Sequence, residues 1–167
     1  MITKQISTYE KKIERANEIL SIREKRISNN DKLIKEIDKI IKENKKSDDP
    51  FIKLKLIELE NKKLDCAEST IENQIAIRVQ REILNEDMAA YDRLLKEKEA
   101  LNAEINSGKW DEYVEKIKET AMNIRRRNPK ADTSRLTNAV ARSFEPFNTE
   151  DEKLDHFKIL KKLSQIK

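Results

Sequence analysis

The densest chemistry in this sequence is basic. Between residues 125 and 142, the six cations Arg125, Arg126, Arg127, Lys130, Arg135 and Arg142 face one acid, Asp132, a net charge of +5. Guanidinium forks and ammonium groups hold phosphate or carboxylate oxygens. On a helix over 133–144, Arg135, Asn138 and Arg142 share a face opposite Leu136 and Val140, and Arg125 to Lys130 lie at the preceding turn. That is the arrangement in which a recognition helix enters a major groove while flanking cations hold phosphates. An acidic protein partner would satisfy the same residues, and basic residues at a helix C-terminus also complement the helix dipole with no ligand at all.

Residues suited to catalysis are scarce. The single Gly of the chain rules out a P-loop, a dinucleotide fingerprint and a nucleophile elbow, each of which needs several glycines. The single His, His156, has no second imidazole with which to build a zinc or di-iron site, and its place between Asp155 and Phe157 reads as a surface or capping position. Cys66 has no second cysteine for a disulfide and no neighbouring metal ligand, so it reads as a small core or flank residue. Asp48, Asp49, Glu150, Asp151 and Glu152 stand where helices should start, and the helix dipole explains them. The expectation is a protein that is not an enzyme, with no catalytic residue, metal, cofactor or small-molecule substrate.

The elements that position these residues follow from composition and period. Of 167 residues, 41% are charged and 37% apolar, with three Pro and 5% aromatic residues. Such a chain lacks the turn formers of hairpins and barrels, and its composition belongs to long helices. No apolar window is long enough to span a membrane, and Met1 to Glu10 lacks the apolar run of a signal peptide. The expected location is therefore cytoplasmic or within a viral particle, without secretion or membrane contact.

Ile6, Ile13, Leu20, Ile27, Ile34 and Ile41 recur every seven residues, and Ile2, Tyr9, Ala16, Arg23, Asn30 and Ile37 fill the companion position. These are the two seam lines of a coiled coil. Asp49 followed by Pro50 caps and opens a second helix. On it Ile57, Leu64 and Ile71 keep heptad spacing and are the expected partners of the first seam, before the stripe drifts through Ile75, Val79 and Ile83. Gly108 stands where a helix should stop. The short connection makes the two helices antiparallel, with Arg23 at the level of Asp65, Glu68 or Glu72 for a salt bridge across the seam. Ile19, Leu33 and Ile40 widen the stripe beyond the needs of two strands, which calls for further helices.

Residues 109–167 hold five of the eight aromatics, the material of a compact core. Trp110, Tyr113, Val114, Ile117, Ala121 and Ile124 share a helix face that ends before Pro129. A shorter helix is capped by Asp132, Thr133 or Ser134, with Leu136, Ala139, Val140 and Ser143/Phe144 inward. A capping box of Thr149 and Glu152 opens a last helix. The predicted fold class is all-α: a long antiparallel coiled-coil helical hairpin over 1–108, with helices at about 2–46 and 50–107, followed by a small three-helix C-terminal cluster over 109–167 with a basic surface. Residues 1–49, 50–108 and 109–167 carry +3, −3 and +4, so the two arms attract.

These features point to a non-catalytic structural or assembly protein, a helical scaffold or adaptor in a larger complex such as a phage particle. It would meet protein partners or itself through the hairpin. The alternative is a DNA- or RNA-binding protein dimerised by the hairpin and contacting phosphate through the basic cluster.

Overall fold

A computed structural model describes residues 2–166. Among them every regular element is an α-helix: α1 (Ile2–Asn44), α2 (Pro50–Asn106), α3 (Lys109–Arg127), α4 (Ser134–Arg142) and α5 (Glu150–Leu163). The breaks follow local chemistry. The Phe51 N–H donates to Asp49 Oδ1 at 2.9 Å, so Asp49 caps α2 as its position before Pro50 requires. Gly108, at φ 82°, occupies the left-handed region that closes α2 and admits α3. Thr149 caps α5 by accepting from the Glu152 N–H at 3.1 Å. The Glu152 carboxylate reaches back to the Asn148 N–H at 2.9 Å, one residue earlier than in a standard capping box.

The chain packs as two compact units, one of residues 11–88 and one of residues 1–10 with 89–167. In the first, α1 and α2 are bonded side by side. Lys12 pairs with Asp87, Glu24 with Arg81 and Asp38 with Lys63, so partners on α2 descend as α1 climbs. The non-exposed residues of α2 here are Ile52, Leu56, Leu59, Lys63, Cys66, Thr70, Asn73, Ile77, Gln80, Leu84 and Asp87, joined by Ala67, Ser69 and Ala76 beside that line. The eleven fall at unbroken alternating steps of four and three, a strict heptad line without drift.

This corrects the expected seam. Ala16, Leu20 and Ile37 of α1 are buried and Ile13, Ile27, Ile34 and Ile41 half-buried, as the first heptad requires, whereas Ile57, Leu64 and Ile71 are 55%, 62% and 56% exposed. α2 carries two heptad lines, one apolar and one mixed, and the mixed one faces α1. The reason lies in Arg23 and Asn30. Arg23 Nη1 donates to Asn73 Oδ1 at 3.2 Å, and the Asn30 amide donates to the Cys66 carbonyl and to Thr70 Oγ1, each at 3.3 Å. A polar group withdrawn from water costs free energy unless it is bonded, so polar residues on one helix select polar residues on the other. The partner of Arg23 is thus the amide of Asn73, not a carboxylate. Cys66 is buried in the same line.

In the other unit α3, α4 and α5 all pack on one another. Val114, Ile117, Ala121, Leu136, Ala139, Leu160 and Leu163 form one buried cluster, and Ile2, Ile6, Leu101, Leu154 and Phe157 form a second. Trp110 and Tyr113 touch both. Lys161 and Lys158 of α5 pair with Glu104 and Glu97 of α2, which orients α5 along that end of α2. Asp151 of α5 accepts the Thr3 N–H at 2.8 Å and the Lys4 N–H at 3.3 Å, capping α1 from across the fold. Phe144, expected inward, is 72% exposed, because α4 ends at Arg142 and the chain turns outward through 143–146.

Candidate docking surfaces

The basic cluster is the first surface to examine. Arg126, Arg127, Lys130, Arg135 and Asn138 are all exposed, on the last turn of α3, the connecting turn and the outer side of α4. Asp132 accepts the Ser134 N–H at 2.8 Å, and hydrogen bonds from Ser134 hold its carboxyl below the usual carboxylate range, so the one acid of the cluster is committed to opening α4. Two members are occupied by the fold. Arg125 Nε donates to Thr133 Oγ1 at 2.8 Å, locking the turn. Arg142 donates to the Pro146 carbonyl at 3.1 Å, pairs with Glu145 and Glu152, and lies 4.4 Å above the Phe147 ring centroid. It therefore serves the 143–149 connection and leaves the recognition-helix face short of one cation.

His156 is not at the surface. It is 8% exposed, with its ring 5.7 Å from Trp110 and 5.4 Å from Phe147, and its Nε2 is 3.0 Å from Ser143 Oγ. Burial pushes its pKa below the ordinary 6.5; a hydrogen bond with the Ala139 main chain opposes the shift and the Arg142 cation adds to it. The Ser143 hydroxyl also donates to the Ala139 carbonyl at 2.9 Å. The Ser143–His156 pair ties α4 to α5.

The second surface is the outer face of α2. Leu54, Ile57, Leu64, Ile71, Ile75 and Val79 are between 51% and 62% exposed and share the side of the helix opposite the line bonded to α1, while Ile83, 46% exposed and one heptad beyond Ala76, lies at the flank of that line. Glu58, Asp65, Glu68 and Glu72 run beside them, all exposed, and make no ion pair among the described residues. An apolar stripe of this length is unusual on a surface facing only water. Ile75 and Val79 belong to it, and the four-residue steps from Ile71 to Ile83 carry the apolar positions round to the flank of the seam. Two registers on one helix were the available sign, since both lines are visible in the sequence. On α1, Ile19 and Leu33 are half-buried, while Ile22 and Ile40 are 52% and 41% exposed.

The third surface is a cleft of about 290 Å³ between α3 and α4, lined by Lys118, Ala121, Met122, Arg125, Leu136, Thr137 and Val140. Met122 is 52% exposed at its edge, and Lys118 Nζ lies 5.4 Å above the exposed Phe144 ring. Sequence reasoning missed this cleft because only the tilt of α4 on α3 opens it.

Among the described residues no group of three His, Cys, Asp or Glu side chains is placed to hold a metal ion, and no helix is long and apolar enough to cross a membrane. Comparison with protein-family models, with curated proteins and with solved structures finds no match for the chain.

Proposed function

We propose that this chain is a non-catalytic helical assembly protein, in which α1 and α2 form an antiparallel coiled-coil hairpin and the outer face of α2 docks further helices. One observation carries this reading: six large aliphatic side chains, Leu54 to Val79, line the α2 face turned away from α1. Covering one such half-exposed side chain contributes roughly 1 kcal/mol, so the stripe is a sizeable reserve of binding free energy. The descending order of the Lys12–Asp87, Glu24–Arg81 and Asp38–Lys63 pairs supports the antiparallel arrangement. A scaffold or adaptor role in a larger complex, including a viral particle, suits a molecule with so much helix surface and so little core.

The test compares the native chain with Leu64→Glu/Ile71→Glu by sedimentation velocity and circular dichroism. The expected outcome is association of the native chain, with loss of association but unchanged helix content in the variant. A variant that loses its helices instead would make the stripe the intramolecular seam and refute the reading.

A second reading rests on Arg126, Arg127, Lys130 and Arg135, which are exposed and make no side-chain ion pair among the described residues. They support a DNA- or RNA-binding role. Its expectation is an affinity for random duplex that falls steeply with salt, with a log–log slope of roughly −3, and that Arg126→Ala/Arg127→Ala reduces. No binding at low salt would refute it.

A further inference from the structure

We infer that the cleft between α3 and α4 is the docking site for the outer face of α2 on a second copy of this chain, so that copies join head to tail. The inference rests on the assembly reading above and names the occupant of the α2 stripe. Both surfaces are open in the single chain, and they are complementary in shape class and in charge. The cleft has an apolar floor of Ala121, Leu136 and Val140, with Met122 half out of it, and a volume of about 290 Å³, room for aliphatic side chains but not for a helix. Its rim carries three cations: Lys118, paired with Glu115 at 2.6 Å, and Arg125, held by Thr133, line it, and Arg126 follows Met122 by one helical turn on the same side, exposed and without an ion pair among the described residues, so that Arg126 is the open charge of the rim.

The α2 face presents the converse. Leu64, Ile71 and Ile75 stand out as aliphatic knobs, and Asp65, Glu68 and Glu72 lie at spacings of three and four beside them, exposed and unpaired among the described residues. Seating Leu64 or Ile71 in the cleft brings Glu68 and Glu72 to the Lys118, Arg125 and Arg126 rim, and carboxylate–guanidinium pairs are strongest where water is partly excluded. A symmetric α2-to-α2 contact would set the Glu58, Asp65 and Glu72 line against another acidic edge, or leave it unanswered, whereas the cleft supplies the opposite charge. Because two different surfaces meet, the contact is heterologous, and repetition closes a ring or extends a filament.

The experiment is sedimentation velocity on the full-length chain over a concentration series at low salt, with helix content checked for every variant by circular dichroism. Arg126→Glu and, separately, Glu68→Arg/Glu72→Arg are expected to weaken association by about tenfold or more. An equimolar mixture of the two variant chains, and a chain carrying all three substitutions, should regain it, since each restores opposite charges across the contact. Association that Arg126→Glu leaves unchanged while Leu64→Glu/Ile71→Glu abolishes it would overturn the cleft as the docking site and leave the α2 stripe as an interface. A wild-type chain that stays monomeric throughout would overturn self-docking altogether. Loss in both single-surface variants without recovery in the mixture or the triple variant would also overturn it, because recovery is what direct pairing requires.

Discussion

His156 shows how much a side chain's role depends on what is folded over it. Its neighbours in sequence, Asp155 and Phe157, suggest an edge position, yet the ring is walled in by Trp110 and Phe147 and held by Ser143. With its folded pKa depressed by burial, the unfolded chain binds the proton more readily. The stability contributed by neutral His156 is therefore present above its unfolded pKa of 6.5 and is lost as pH falls through the lower folded value. Trp110, the only tryptophan, sits beside the ring and reports the change. The melting midpoint followed by Trp110 fluorescence should drop between about pH 7.5 and 5.5, and His156→Phe should flatten that slope whatever its effect on the midpoint itself. Equal slopes in both proteins would remove His156 from the account. Arg23 teaches the same lesson from the other side: its position in the heptad was legible, but its partner, the Asn73 amide, was not.

At the scale of elements, ends and faces were read with different success. The starts of α2 and α5 and the stop at Gly108 follow from cap and turn chemistry carried by adjacent residues, so a sequence displays them in full. The start of α1 does not. Its first turn contains no acidic residue, and its N–H groups are met by Asp151, almost the whole chain away. Asp151→Ala should cost about 1 kcal/mol, the usual worth of an N-cap, and should speed amide exchange at Thr3 and Lys4 while leaving the middle of α1 unchanged. Unaltered exchange at those two amides would mean that solvent caps them equally well. Faces are the harder problem. α2 offers an apolar heptad line and a mixed one, and hydrophobicity alone selects the wrong one, because it ignores the cost of leaving Arg23 and Asn30 unbonded.

At the scale of the whole molecule the two units are held by different means. Residues 1–10 with 89–167 close around Leu154, Phe157, Leu160 and Ile117, each fully removed from solvent. Residues 11–88 rest on a seam of small, mixed and polar layers, with Ile37 its most buried large side chain. Ile37→Ala should destabilise that unit by about 2–4 kcal/mol. The expected signature is a lower midpoint in the 222 nm dichroism melt with little movement of the Trp110 fluorescence melt. Coincident shifts in both signals would show the chain to unfold as one cooperative body.

Helical class, the starts of α2 and α5, the stop at Gly108, the first heptad and the location of the basic cluster were determined by the sequence alone, since each depends on residues near one another along the chain. Composition sets the class, capping residues sit beside the ends they cap, and a seven-residue period needs no knowledge of the partner. Tertiary structure alone decided which α2 line meets α1, that Asp151 caps α1, that His156 is buried, that Arg142 is spent on the 143–149 connection, and that a basic-rimmed cleft opens between α3 and α4. Each of these depends on desolvation or on distance between segments remote in sequence. Their free energies belong to pairs of residues, and a sequence lists the residues without the pairs.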